Sequence, residues 1–443
     1  MSEANRAPWR KLRDLTPQLA GIDTGIDGGA GTNTSPQQAA RALSLYIHVP
    51  FCRTRCGYCD FNTYTVGFGS GADPATYDRA VRAEIATAAG VLTRFSHHPI
   101  QSIFFGGGTP TMLEPAAITR ILDEVRRHFP LADTCEITIE ANPDTVSPRI
   151  LDTLVAGGVT RVSYGMQSAC RHVLATLERT HDPRRIPEVV RWAREAGAAI
   201  SLDLIYGTPG ESLRDWEYSL GAALDTNPDH LSTYSLIVED GTRLAAHMRR
   251  GLVPAVDPDD HAEKYEAADR ILSAAGYAWY EVSNWARVDD DEGAAVYAGA
   301  SRYRRPRHAS IHNRAYWDDD DWWGIGPGAH SHLGRLRWWN RKHPRAWADA
   351  VESPDGNPVH DGEHLSDADR QLERVMLAIR TARGLDCTEI GGTRAGEVHR
   401  TLAELVDEGL MILVDDGDDG GCTRAVLTLR GRLLADYVTR RLT

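Results

Sequence analysis

The chain has 443 residues, 42% hydrophobic and 25% charged, with a net charge of −13. That composition excludes wholesale disorder and fibrous folds and allows a large core. The acidic balance disfavours general binding to phosphate backbones, so no nucleic-acid partner is expected. The 7 cysteines are an odd and sparse set, which disfavours a disulfide scaffold and suits a reducing compartment.

Residues 1–40 read as a flexible arm, since Gly21–Gly31 is loop-forming and carries no apolar period. The N-terminus has no signal-peptide h-region and no stretch is apolar enough to span a membrane, so a cytoplasmic location is expected. Order starts with the strand-like run Leu43–Val49. Further strands are expected at Ile100–Phe105, Glu136–Glu140, Arg161–Tyr164, Ala199–Tyr206 and His230–Ile237, with a weaker candidate at Tyr277–Val282. Helices are expected between them. Asp73-Pro74 opens one that runs to about Phe95, and others cover Glu114–Phe129, Ser147–Ala156, Pro183–Ala196, Ser212–Thr226 and Pro258–Ala275. Gly157, Gly197 and Gly276 are expected as C-terminal caps. This alternation predicts an α/β fold, a partial (β/α) TIM-like barrel over residues 41–285, with a doubly wound open sheet as the alternative.

Residues 286–310 read as an irregular charged insertion containing the basic stretch Arg302–Arg307. Residues 286–360 are assigned as an insertion and connecting region. From 361 to 443 the pattern changes to helices at Asp369–Ala382 and Ala395–Gly409. A hairpin of Met411–Val414 and Ala425–Leu429 follows, then a last helix over 430–441. This predicts a small winged-helix-like α+β module with an interaction or lid role, because no basic recognition helix stands out. The chain has only three lysines, Lys11, Lys264 and Lys342.

The chemistry-bearing segment is Cys52-x3-Cys56-x2-Cys59, directly after the first strand. Three thiolates on one short loop converge on one metal centre. Structural zinc sites use four protein ligands, as 4Fe–4S clusters normally do, so three cysteines leave one iron open to an exchangeable ligand. Zinc with His48 as fourth ligand is the alternative. Gly106-Gly107-Gly108-Thr109-Pro110 follows the second strand, and its exposed backbone groups suit a small charged ligand. Glu140, Gln167, Asp203 and Ile237 fall at or near the ends of the next four strands. In a (β/α) barrel all these positions share the C-terminal rim.

These residues resemble the radical S-adenosylmethionine (SAM) superfamily, in which SAM chelates the open iron of a 4Fe–4S cluster and is cleaved by one electron to a deoxyadenosyl radical. YIHVPFC, FFGGGTP, ITIEANP, RVSYGMQS, LDLIYGTPG and GIGPGAHS resemble the branch holding oxygen-independent coproporphyrinogen III oxidases and heme chaperones. The resemblance spans about residues 43–340. It implies a 4Fe–4S cluster on Cys52, Cys56 and Cys59. It implies SAM contacts from Tyr46, Tyr58, Gly106, Gly107, Gly108, Thr109, Glu140, Gln167, Arg179, Asp203 and Ile237, with His330 as a rim residue near SAM. Gln167, Arg179 and Asp203 correspond to positions that bind a second SAM in the oxidase.

Two features separate oxidase from chaperone. The oxidase carries a further cysteine two residues after the last cluster cysteine, where this chain has Phe61. His312-Asn313-Arg314-Ala315-Tyr316-Trp317 matches the HNxxYW motif of the chaperones. Histidine is a common axial heme ligand, Asn313 can orient it, and Tyr316 and Trp317 offer flat apolar surface to a macrocycle. The chaperones often carry a cysteine two residues before that histidine, whereas this chain has Ser310. The resemblance therefore implies a heme chaperone with heme at His312, Asn313, Tyr316 and Trp317. Its expected partners are acceptor hemoproteins, with transient membrane-protein contact and a monomer or cluster-dependent homodimer. The alternatives are an oxidase that decarboxylates coproporphyrinogen III and a radical SAM methyltransferase.

Overall fold

The computed structural model describes residues 41–67, 73–92, 97–353, 356–387, 395–415 and 423–443. The N-terminal arm, the hairpin turn beyond Asp415 and Cys422 lie outside the described residues.

Six strands alternate with helices in the first part of the chain. They are β1 (Arg41–Val49), β2 (His97–Gly107), β3 (Leu131–Ala141), β4 (Arg161–Gln167), β5 (Ala199–Tyr206) and β6 (His230–Ser235). The helices are α1 (Pro74–Leu92), α2 (Pro115–His128), α3 (Pro148–Ala156), α4 (Arg171–Thr176), α5 (Ile186–Ala196), α6 (Leu213–Leu224), α7 (Arg243–Arg249) and α8 (Pro258–Ala274). Local chemistry fixes their ends. Ser147 caps α3 by accepting from the Ile150 N–H, and Ser212 forms a capping box with Asp215 on α6. Gly197 closes α5 in the left-handed region at φ 97°. After α3 the expected cap shifts by one residue: Gly157 stays right-handed at φ −73° and Gly158 takes φ +108°.

Next come β7 (Tyr277–Glu281), β8 (Asn284–Arg287), α9 (Ile311–Trp317), β9 (Asp321–Ile325), β10 (His330–Leu333), β11 (Leu336–Asn340), α10 (Pro344–Glu352) and β12 (Val359–His364). One 12-stranded sheet runs β12-β11-β10-β9-β1-β2-β3-β4-β5-β6-β8-β7. The pairings from β9 through β1 to β6 are parallel and the outer ones antiparallel. The expected α/β fold is therefore present, with a difference in its extent. Residues 321–360, read from sequence as a connecting region, and residues 361–364, read as the start of the tail, supply four strands of the same sheet. Trp323, Leu333, Trp338, Trp347 and Val359 bury into the same core as Leu45, Ile103 and Val162.

The tail has its own core, centred on Val375, Leu402, Leu405, Leu427 and Val438. Helices Asp367–Ile379 (α11) and Ala395–Asp407 (α12) pack there with an antiparallel sheet of Leu385–Asp386, Met411–Asp415 and Thr423–Leu427. The expected single last helix is two, Leu429–Leu433 and Ala435–Leu442. Among the described residues no helix is long and apolar enough to cross a membrane.

Candidate functional site: a cysteine-roofed cavity

The inner strands alternate by period two. Val162, Tyr164, Ile200, Leu202 and Leu231 are buried in the core. Thr138, Glu140, Arg161, Ser163, Gly165, Ser201, Asp203, His230 and Ser232 line a cavity of about 490 Å³. Short hydroxyl side chains sit where a closed barrel would pack branched apolar ones, and this keeps the lumen open. The cysteine loop lies over one end of the cavity, and Ser310 and Asn313, at the start of α9, border it elsewhere.

The cysteine loop is held at its base and at its tip. Phe51–Cys52 pairs with Tyr64–Thr65, the Tyr64 N–H donating to Pro50 O at 2.7 Å and the Val66 N–H to Cys52 O at 3.1 Å. Asn62 Nδ2 donates to Pro327 O (3.0 Å) and Lys342 O (2.9 Å), tying the loop to the GIGPGAHS turn. At the tip the Gly57 N–H donates to Leu177 O at 3.2 Å, and a Cβ there would sit 2.9 Å from Glu178. All three cysteines line the cavity. Arg179 Nη1 lies 3.6 Å from Cys56 Sγ, and Thr109 Oγ1 lies 3.9 Å from Cys52 Sγ. Burial pushes the Cys52 thiol up to about 11, and the Cys59 thiol upward, so metal loading must displace protons.

The zinc alternative loses its fourth ligand. His48 is buried, with Nδ1 3.0 Å from the Tyr46 hydroxyl and Nε2 2.9 Å from Asn62 O, so neither ring nitrogen is free. Three thiols, with no fourth cysteine or free histidine beside them among the described residues, suit a cluster with one open iron.

The glycine run extends β2 along the cysteine loop. The Gly107 N–H donates to Glu140 Oε2 (3.1 Å), the Gly108 N–H to Val49 O (2.8 Å) and the Thr109 N–H to Phe51 O (2.7 Å). These three N–H groups are therefore not open to a ligand, which corrects that part of the sequence expectation. Bare backbone is still required here. Gly107 has φ +109°, and a Cβ would come 2.5 Å from His48; at Gly108 it would come 2.6 Å from Phe51 O.

Glu140 and Asp203 form the acidic wall of the cavity. Burial, with Asp203 nearby, pushes Glu140 up to about 8. Asp203 is also raised by burial, although Ser163 Oγ donates to it at 2.9 Å. Arg179 Nη2 donates to Gly165 O at 2.6 Å. Several buried polar atoms bordering the cavity have no hydrogen-bond partner: Thr138 Oγ1, Gln167 Oε1, Arg179 Nε, and Nε and Nη1 of Arg161. Unsatisfied buried groups on this scale mark a place made for a polar ligand. With three thiols and the glycine cradle, the donor set fits a 4Fe–4S cluster with SAM beside it.

The expected SAM residues divide. Tyr58, Gly107, Gly108, Thr109, Glu140, Gln167, Arg179, Asp203 and Ile237 line the cavity, and Ile237 lies at an exposed edge. Tyr46, Gly106 and His330 do not line it. Tyr46 is packed against Phe104 and His312, while His330 is exposed and stacks on Trp339 at 5.5 Å. Sequence reasoning missed Arg161, Ser163, Ser201, His230 and Ser232. Their signal was polar residues at every second position of β4, β5 and β6.

The HNxxYW residues form helix α9, capped by Ser310. Asn313 borders the cavity, whereas His312 is buried beside it. Its Nδ1 is 2.8 Å from Ser102 Oγ, which itself donates to Ser44, so Nδ1 carries the proton. Its Nε2 accepts from the Tyr316 hydroxyl at 3.0 Å, and its ring stacks on Phe104 at 4.9 Å. Burial lowers its pKa to about 4, which keeps the ring neutral. In this conformation both nitrogens are engaged, and iron ligation by His312 requires the Tyr316 bond to open.

A sheet with a parallel centre, carrying three cysteines beside a polar cavity, fits the class of proteins that hold a cluster with a small polar cofactor beside it. The family model described as the radical SAM superfamily matches residues 46–222. The chain is 44% identical over 401 residues to the heme chaperone HemW of Mycobacterium tuberculosis, covering 90% of this chain and 94% of that one. It is 31% identical over 401 residues to heme chaperone HemW of Bacillus subtilis, covering 89% and 97%. Among solved structures, coproporphyrinogen III oxidase HemN from Escherichia coli matches with a TM-score of 0.73 and 26% identity, covering 91% of this chain and 90% of that one. The chain belongs to the HemW family of the radical SAM superfamily. Membership implies a 4Fe–4S cluster and SAM.

Proposed function

We propose that this protein is a heme chaperone that binds heme, carries a SAM-ligated 4Fe–4S cluster, and passes heme to acceptor hemoproteins. The observation that carries the reading is end-to-end similarity to proteins named heme chaperone, at 44% identity over 94% of the Mycobacterium tuberculosis relative. Cys52, Cys56 and Cys59 would hold three irons. Thr109, the carbonyls of the glycine run, Glu140 and Asp203 would take SAM's polar groups, with Gln167 and Arg179 completing the wall. When bound, the cluster supplies the single electron that SAM cleavage needs. The protein's own part is to fix the loop, supply the polar wall and limit water. The tail module, residues 361–443, would serve as a partner-binding or lid element.

Phe61 supports a carrier over an oxidase. It is 60% exposed at the cavity and leaves no fourth thiol beside Cys59. Anaerobic heme titration and a coproporphyrinogen III assay on one cluster-loaded preparation test the reading. Heme binding without decarboxylation is expected; turnover to protoporphyrinogen overturns it in favour of the oxidase.

A further inference from the structure

The basic stretch Arg302–Arg307 has no part in the cavity, yet it is built into the fold. Tyr303 and Arg305 meet Arg314 and Trp317 of α9, and Arg383 of the tail, around a second and smaller notch. Its volume of about 10 Å³ is roughly what one water requires, so it has room for a single ligand oxygen, with the rest of the ligand outside.

The charges in the notch do not balance. Asp318 is paired with Arg305. Arg314 Nε is buried without a hydrogen-bond partner, and so is the Tyr303 hydroxyl. Burial, then the neighbouring Arg305, lowers the pKa of Arg314 and outweighs the opposing pull of Asp318 and Glu136. Glu281 is the other carboxyl there, and burial raises it to about 7. Arg383 stands exposed at the lip. Planar guanidinium forks beside aromatic walls suit a planar carboxylate.

We propose that this notch is a carboxylate site that grips one propionate of heme, with Arg314 as its principal donor and Arg305 and Arg383 in support. The inference rests on the heme-chaperone reading and deepens it. Residues 286–310 gain a role, since they supply Tyr303 and Arg305. The same helix, α9, presents Asn313 to the cluster cavity and Arg314 and Trp317 to the notch.

The test is titration of the full-length, cluster-loaded protein with hemin and with hemin dimethyl ester, followed by the Soret band. Wild type should bind hemin about tenfold more tightly than the ester. Arg314→Gln should lose that preference and bind both at the ester's affinity. Arg383→Gln, at an exposed position, should narrow the preference and keeps the test open if Arg314→Gln does not fold. Equal binding of hemin and ester by wild type, or an unchanged preference in folded Arg314→Gln, overturns the propionate site while the chaperone reading stands. Absence of any Soret change with wild type overturns both.

Discussion

Glu140 couples the cavity to pH. Its folded pKa of about 8 lies above the ordinary carboxylate value of 4.5, so the folded chain holds a proton that the unfolded chain has released. Stability attributable to this group is present below about 4.5 and falls as pH rises towards 8. In the metal-free protein, wild type should lose stability relative to Glu140→Gln across that window, measured by denaturant unfolding at pH 5 and pH 8. A difference independent of pH would place Glu140 in water rather than in the cavity wall. The cysteines act as a set: alanine at Cys52, Cys56 or Cys59 should each abolish the broad cluster absorbance near ~400 nm. Retention in all three variants would remove the cluster from this loop. His312 carries two roles that one substitution joins. His312→Ala leaves Ser102 and Tyr316 without their partner and should cost about 1–3 kcal/mol of stability, as well as weakening heme binding. Thermal unfolding reads the first effect and heme titration below the melting range reads the second.

At the scale of elements, the glycine run and α9 differ in how far sequence could carry them. Gly107 is a steric requirement, and Gly107→Ala forces a side chain into His48 at φ +109°. It should lower stability by about 1–3 kcal/mol, visible as a reduced Tm; an unchanged Tm would show that His48 can move aside. The six β/α repeats were legible because apolar runs, Pro and Ser caps and closing glycines agree locally. β9 to β12 were not. Asp321–Ile325 follows a run of aspartates, and its pairing with β1 joins residues some 280 apart, for example Leu43 with Asp321. Nothing near Trp322 in sequence announces that partner, since strand preference follows packing context. α9 is a parallel case. The HNxxYW residues were evident, but the turning of His312 inward onto Ser102 follows from the tertiary packing of β1 and β2.

For the molecule as a whole, the rim was readable and the floor was not. Cysteines, glycines, Glu140 and Asp203 stand out as chemistry-bearing types at strand ends. The lumen below them is set by Thr138, Ser163, Ser201 and Ser232, residues too ordinary to single out without a sheet that turns alternate positions inward. The 12-stranded sheet places the cysteine loop, the lumen and α9 around one cavity, so a ligand bound at the cysteine loop would share walls with α9. This arrangement suits a carrier whose cluster state influences how heme is held. The most direct test is one anaerobic, cluster-loaded preparation given heme in one arm and coproporphyrinogen III with SAM and reductant in the other. Stoichiometric heme binding with no protoporphyrinogen formed is the predicted result, and protoporphyrinogen turnover without heme binding would contradict it.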